Sequence, residues 1–190
     1  MNKYFYVVLI HQIIFQGMFF SKNIYLRRKS GHKIRGKNKE AVVSTVFFAL
    51  FIVVSMILAS IDSPTGSFHV VDSSLSFVLA ILLIITNIIV GAASLINMKD
   101  SWRVGILEDQ KNPLIEDGIY KLSRNPFFLS YILMFIAYTL LIQNIILFVF
   151  SIICILLTHS MIKKEEQYLL RVHKDLYIQY KKRVPRYFMI

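Results

Sequence analysis

Long stretches of this chain contain no Asp, Glu, Lys or Arg: residues 4–21, 41–61, 73–98 and 125–162. These runs constrain the fold more than any other feature, because about 20 apolar residues in a helix cross the hydrocarbon of a bilayer. Each of the first three is one span long. The fourth is too long for one span and suits two. Gln143-Asn144 near its middle is the expected hairpin tip, since amides facing lipid are costly. The pattern predicts five membrane helices, at 4–20, 41–61, 74–97, 127–142 and 145–161, with the last two as a helical hairpin. A mean hydropathy of +0.58 over 190 residues excludes an ordinary soluble domain and fits one membrane domain. The expected fold is therefore all-α, a polytopic membrane helix bundle.

The net charge of +11 would suit a nucleic-acid partner, but its distribution argues against one. Residues 21–40 carry eight Lys or Arg, 62–72 none, 99–124 five, the 143–144 hairpin none, and the tail from Lys163 eight. This alternation is the positive-inside pattern. It predicts an integral, multi-pass protein with its N-terminus outside and its C-terminus cytoplasmic, in contact with membrane lipids, and a bacterial plasma membrane as its location. The first segment lacks a small-residue cleavage site, so a retained helix is expected. Cys154 stands alone, which excludes an internal disulfide. His11 and His159 lie in apolar runs and are expected to be packed or hydrogen-bonded. No His, Cys or Asp spacing predicts a metal site.

Two segments hold the polar chemistry. The first is the loop 99–126, in which Asp117-Gly118 reads as a tight turn and Trp102-Arg103 as interfacial anchors. Pro126 suits the first turn of the fourth helix, with Asn125 as its N-cap. The second is the tail, "HSMIKKEEQYLLRVHKDLYIQYKKRVPRYFMI". Its apolar positions keep a loose helical spacing, so the fifth helix is expected to run on past the membrane and then bend along its surface as an amphipathic helix. Glu165 and Glu166 point about 100° apart on that helix. One can face solvent and Lys163 or Lys164. The other must face the bundle, and an inward carboxylate at membrane depth is a site hypothesis.

The stretch "GIYKLSRNPFF", followed some forty residues later by "EEQYLLRVHKDLYIQYKKRVPRY", resembles the C-terminal half of the isoprenylcysteine carboxyl methyltransferase family, whose core is shared by the related phospholipid methyltransferases. The family pattern has G-x-Y-x-x-x-R-H-P-x-Y before a membrane hairpin, then E-E, F-G-x-x-Y-x-x-Y and a V-P-R ending. The resemblance covers residues 99–190, and makes that half the cofactor-binding and catalytic part while 1–98 supply three helices. It implies a small membrane enzyme using S-adenosylmethionine, held in a cytoplasmic-facing pocket under the C-terminal segment, with a lipophilic acceptor arriving from the bilayer. The matching positions are Gly118, Tyr120, Arg124, Asn125, Pro126, Glu165 and Glu166, and in the closing segment Tyr177, Tyr180, Arg183 and Pro185. Arg124, Asn125 and Glu166 are the expected catalytic residues.

Asn125 stands where the family has His, Phe128 where it has Tyr, and His173-Lys174 where it has Phe-Gly. Asn keeps a neutral hydrogen bond but takes no proton. An acceptor already ionised at pH 7, a carboxylate or thiolate, needs no base. In-line methyl transfer to a carboxylate, amine or thiol is the expected reaction. The competing expectations are a membrane reductase on the same core and a non-enzymatic transporter subunit or assembly factor. A transporter should show broken helices in matched halves, and the sequence has no such pairing.

Overall fold

The computed structural model describes residues 2–30, 39–61, 66–68, 72–102 and 113–188. Among these, α1 spans Lys3–Ser30, α2 Lys39–Ser60, α3 Ser73–Asn97, α4 Pro126–Ile142, α5 Ile145–His173 and α6 Asp175–Arg183. Short 3₁₀ turns occupy Lys99–Ser101 and Gly118–Lys121. No strand occurs among the described residues; Ser67 and Asn144 form an isolated bridge. The chain is a helical membrane bundle, as its apolar runs predict.

The first and fifth helices run further than their apolar stretches. Residues 21–29 contain no Gly or Pro, and Arg27, Arg28 and Lys29 fall in the last turn of α1, where cations meet the negative end of the helix dipole. α5 continues to His173 and ends at Lys174, whose backbone has φ 47° and ψ −118°. α1, α2, α3 and α5 are long and apolar enough to cross a membrane. α4 is as apolar but has 17 residues, a length of about 25 Å. The hairpin tip lies where expected: Gln143 closes α4 in a left-handed conformation, and the Asn144 side chain accepts from the Ile146 N–H at 2.9 Å to open α5.

Large apolar side chains cover the outside. Ile13, Ile89 and Leu156 are 65%, 61% and 64% exposed, and a surface of this kind requires lipid around it. The inside is packed through small residues and rings. α3 makes its most extensive contact with α4, and Ala80, Asn87, Gly91 and Ser94 form the buried stripe on α3. A Cβ at Gly91 would come within 2.9 Å of the Phe15 ring, so glycine lets α1 close on α3. Small residues of this kind drive helix association where lipid offers no hydrophobic gain. Phe51 packs edge-on against Phe135 at 4.9 Å and parallel to Tyr138 at 6.1 Å, joining α2 to α4.

Buried polar groups tie the helices together. His11 bonds Tyr138 Oη at 2.6 Å through Nδ1 and Asn87 Oδ1 at 2.7 Å through Nε2. Asn87 in turn donates to the Ser130 carbonyl at 2.6 Å. His11 is thus hydrogen-bonded, as expected, and bridges α1, α3 and α4. At one end of the bundle Lys29 meets Asp100 at 2.8 Å and Trp102 Nε1 donates to Asn23 at 2.9 Å. The opposite end is closed by backbone bonds from Phe68 to Gln143 and from Ile145 to Gly66. The basic end is the one that holds the polar site.

Candidate active site

The loop before α4 is pinned first by a glycine. Gly118 has φ 61°, and a Cβ there would collide with the Asn97 side chain. Asn97 Oδ1 instead accepts the Ile119 N–H at 2.9 Å, which docks the 3₁₀ turn on the end of α3. That turn buries Tyr120, whose carbonyl accepts from Tyr180 Oη at 2.7 Å. α6 is thereby fastened to the loop.

Arg124 follows, and every part of its guanidinium is engaged. Nε and Nη2 donate to Glu166 Oε1 at 3.2 and 3.0 Å. Nη1 donates to the carbonyls of Val184 and Lys181 at 2.7 and 3.1 Å. Its own backbone N–H donates to the Pro185 carbonyl at 3.0 Å. Glu166 also receives Asn125 Nδ2 at 3.1 Å and Arg186 at 2.8 Å. The Arg124 and Glu166 side chains are 6% and 8% exposed. Two guanidiniums around a single carboxylate leave this cluster one positive charge in excess. Hydrogen bonding to Glu166 pushes the Arg186 pKa still higher. Tyr177 is buried beside the pair, and its Oη makes no hydrogen bond of good geometry among the described residues. Burial, reinforced by the Glu166 charge, raises its pKa, so it is a neutral donor.

Asn125 sits at the N-cap position of α4 but makes no side-chain cap bond. This corrects the capping expectation. Its Nδ2 donates instead to the ionised Glu166 oxygen at 3.1 Å, a charge-assisted bond stronger than the neutral one in which Oδ1 would accept a helix N–H, and Pro126 at the first helical position offers no N–H.

The paired carboxylates divide as the helix geometry requires. Glu166 faces the bundle. Glu165, one residue back, lines a cavity of about 590 Å³. The polar end of that cavity is formed by Tyr120, Arg124, Asn125 and Glu165. Burial, with the Glu165 charge nearby, raises the Tyr120 pKa, so this phenol too stays protonated. An aromatic stretch follows, with Phe19, Phe48, Trp102, Phe127, Phe128 and Tyr131. Trp102 meets Phe127 edge-on at 4.5 Å. The far end lies between α1 and α2, at Gln12, Gln16, Ile52 and Val53.

Of the expected site residues, Arg124, Asn125 and Glu166 converge on one point, and Tyr120 and Glu165 join them across the cavity. Gly118 and Tyr180 support the loop from behind. Arg183 lies apart, paired with Glu116 at 2.6 Å with its side chain 67% exposed. The residue missing from the sequence reading is Arg186, whose signal was the last letter of the V-P-R ending. Ser123 was missed as well: it is fully buried, donates to the Arg186 carbonyl at 3.0 Å and accepts the Asn125 N–H at 3.1 Å.

The phospholipid methyltransferase family model matches residues 75–175. The chain belongs to that family. No curated protein matches it significantly. The family span runs from the start of α3 through the α5–α6 junction and contains Arg124, Asn125, Glu165 and Glu166. The α1 and α2 wall of the cavity lies before it, and Arg186 lies after it. This membrane methyltransferase thus draws its polar cluster mainly from the family core, while its apolar cavity wall is shared between that core and the two preceding helices.

Proposed function

We propose that the protein is an S-adenosylmethionine-dependent methyltransferase acting on a lipophilic acceptor, with the polar end of the bundle in the cytoplasm. The observation that carries this reading is that one cavity is polar and charged at one end and aromatic then aliphatic at the other. A zwitterionic cofactor and a membrane-borne acceptor need such a junction, and the volume falls within the usual range for small-molecule sites.

The residues present fit the cofactor. Glu165 faces the cavity and suits its ammonium group, while the surplus positive charge of the Arg124–Glu166–Arg186 cluster suits its carboxylate. Tyr120 and Phe128 offer ring faces. When bound, the cofactor supplies a methyl group already activated on a sulfonium. The chain's own task is then to hold two reactants in line and exclude water, and alignment of this kind contributes roughly 7–11 kcal/mol in favourable cases. Asn125 holds Glu166 through a neutral amide that moves no proton, which favours an acceptor that reacts without deprotonation.

Calorimetric titration of detergent-purified protein with S-adenosylmethionine and S-adenosylhomocysteine tests the reading. Saturable binding is expected, weakened about tenfold or more in Glu165→Gln, the loss of one charge-assisted contact. A wild-type protein that binds neither compound overturns it.

A further inference from the structure

The chain leaves the apolar zone with α5 and then comes back to it. Ile162 ends the charge-free run of 125–162, and Lys163–His173 carry α5 about 17 Å beyond that border. Lys174 reverses the chain, and α6 returns about 13 Å. Its last turn is level with the border again. The Lys181 and Val184 carbonyls there accept from Arg124, the last charge before the apolar run of α4.

Beyond α6 the segment goes further in. Tyr187 Oη lies 2.8 Å from His159 Nδ1, with the ring centroids 6.2 Å apart. His159 stands one turn inside the charge-free run, about 6 Å from Lys163. A phenol at that depth needs a partner, and His159 supplies it. Tyr187 and Phe188 are only partly buried, so each keeps a face open to its surroundings.

Charge around this point is uneven. Lys181, Lys182 and Arg183 fill the last turn of α6 and are exposed. Arg183 is paired with Glu116. The Lys181 and Lys182 side chains have no ion pair or hydrogen bond among the described residues, and neither has the exposed Lys163, which shares a face of α5 with His159. Glu166 is turned into the bundle and Glu165 toward the cavity. Asp175 lies at the other end of α6. Free cations beside a Tyr-Phe pair at the edge of an apolar run suit anionic head groups above and ring insertion below. Among the described residues, none from 181–188 lines the cavity, so this surface is separate from the acceptor path.

We infer that residues 181–188 dock on the surface of an anionic lipid bilayer, and that this docking keeps the polar cluster assembled. The same segment supplies Arg186 to Glu166 and the Lys181, Val184 and Pro185 carbonyls to Arg124. Docked, it holds Lys181 and Lys182 within the roughly 10 Å over which surface charge acts. Swung out at Lys174, it would carry them beyond that reach. An anionic surface therefore favours the closed segment and the complete cluster.

The test uses the full-length protein in nanodiscs of phosphatidylcholine, alone or mixed with phosphatidylglycerol. It involves no methyl donor, so its outcome is independent of the methyltransferase reading. Hydrogen exchange is read at the Arg124 amide, which is bonded to the Pro185 carbonyl, and across 175–188. Protection should rise about tenfold or more in the anionic discs, as two lysines near such a surface supply. The gain should vanish at about 1 M salt, where the screening length is about 3 Å, and in the double variant Lys181→Gln, Lys182→Gln. Both side chains are exposed, so this variant should match the wild type in phosphatidylcholine alone. Equal protection of the wild type in the two bilayers overturns the inference, as does a gain that persists in the double variant. Soluble glycerophosphate added to phosphatidylcholine discs should give no gain; one of the same size would make a free anion, not the bilayer, the partner.

Discussion

Lys174 adopts φ 47° with ψ −118°, a conformation that side chains disfavour and glycine tolerates. It occupies the place of the Gly in the family pattern F-G-x-x-Y, and the geometry shows why glycine serves there: α5 must end and α6 must fold back within one residue. The Lys174 N–H is already bonded to the Leu170 carbonyl at 2.9 Å, so the turn is kept at the expense of backbone strain. Lys174→Gly should therefore stabilise the protein by about 1 kcal/mol, seen as a higher thermal midpoint in detergent. An unchanged or lower midpoint would show the turn to be relaxed as it stands. Gly118 is the opposite case. Its positive φ and its contact with Asn97 both forbid a side chain, and Gly118→Ala should destabilise by about 2 kcal/mol and loosen the loop that carries Arg124. Loss of amide protection at Ile119, whose N–H is bonded to Asn97, checks this.

At the scale of elements, α6 and the segment to Phe188 are held down by few contacts. Arg124 binds three of the segment's carbonyls, Glu166 binds Arg186, Tyr180 binds the Tyr120 carbonyl, and His159 meets Tyr187 Oη at 2.8 Å. Glu166→Gln removes the carboxylate between two guanidiniums, and breaking a buried pair in this way costs about 3–5 kcal/mol. The segment should open while the rest of the bundle stays shut. Hydrogen exchange should rise across 175–188 and stay unchanged across α3 and α4; uniform change across the chain would refute the division. The helices themselves were legible in the sequence, because a charge-free run in this setting has few other fates. The split of Glu165 and Glu166 was legible too, since it follows from helical angle alone. Arg186 was not, because its partner is reached only after the chain reverses at Lys174. The turning of Asn125 from cap to partner of Glu166 depends instead on the α4–α5 hairpin, which sets the start of α4 beside the lower part of α5.

On the proposed reading, the whole molecule separates donor binding and acceptor binding along the axis of the bundle. The polar cluster forms where α3, α4, α5 and the tail meet, and the apolar channel forms where α1 and α2 lean on α4. The sequence disclosed the first through motif spacing. It disclosed little of the second: only Gln12 and Gln16, one turn apart on α1, mark the channel face, and α2 is so nearly apolar all round that no comparable stripe separates channel from lipid. That separation makes the two tasks independently breakable. Ala49 lines the channel from α2, distant in sequence from every member of the cluster. Filling the channel there with a large ring removes room for a lipid tail without touching Arg124, Asn125, Glu165 or Glu166. Ala49→Trp is therefore expected to leave S-adenosylmethionine binding within about twofold of wild type, since none of its charged contacts change. Transfer of labelled methyl from that donor into the lipid extract of membranes should fall at least about tenfold, the scale expected when a reactant loses its positioned site. Glu165→Gln should give the reverse pattern in binding, with donor affinity lost first. If Ala49→Trp instead abolished donor binding as well, the polar and apolar ends would be one site, and the acceptor would have to enter by a route other than the α1–α2 channel.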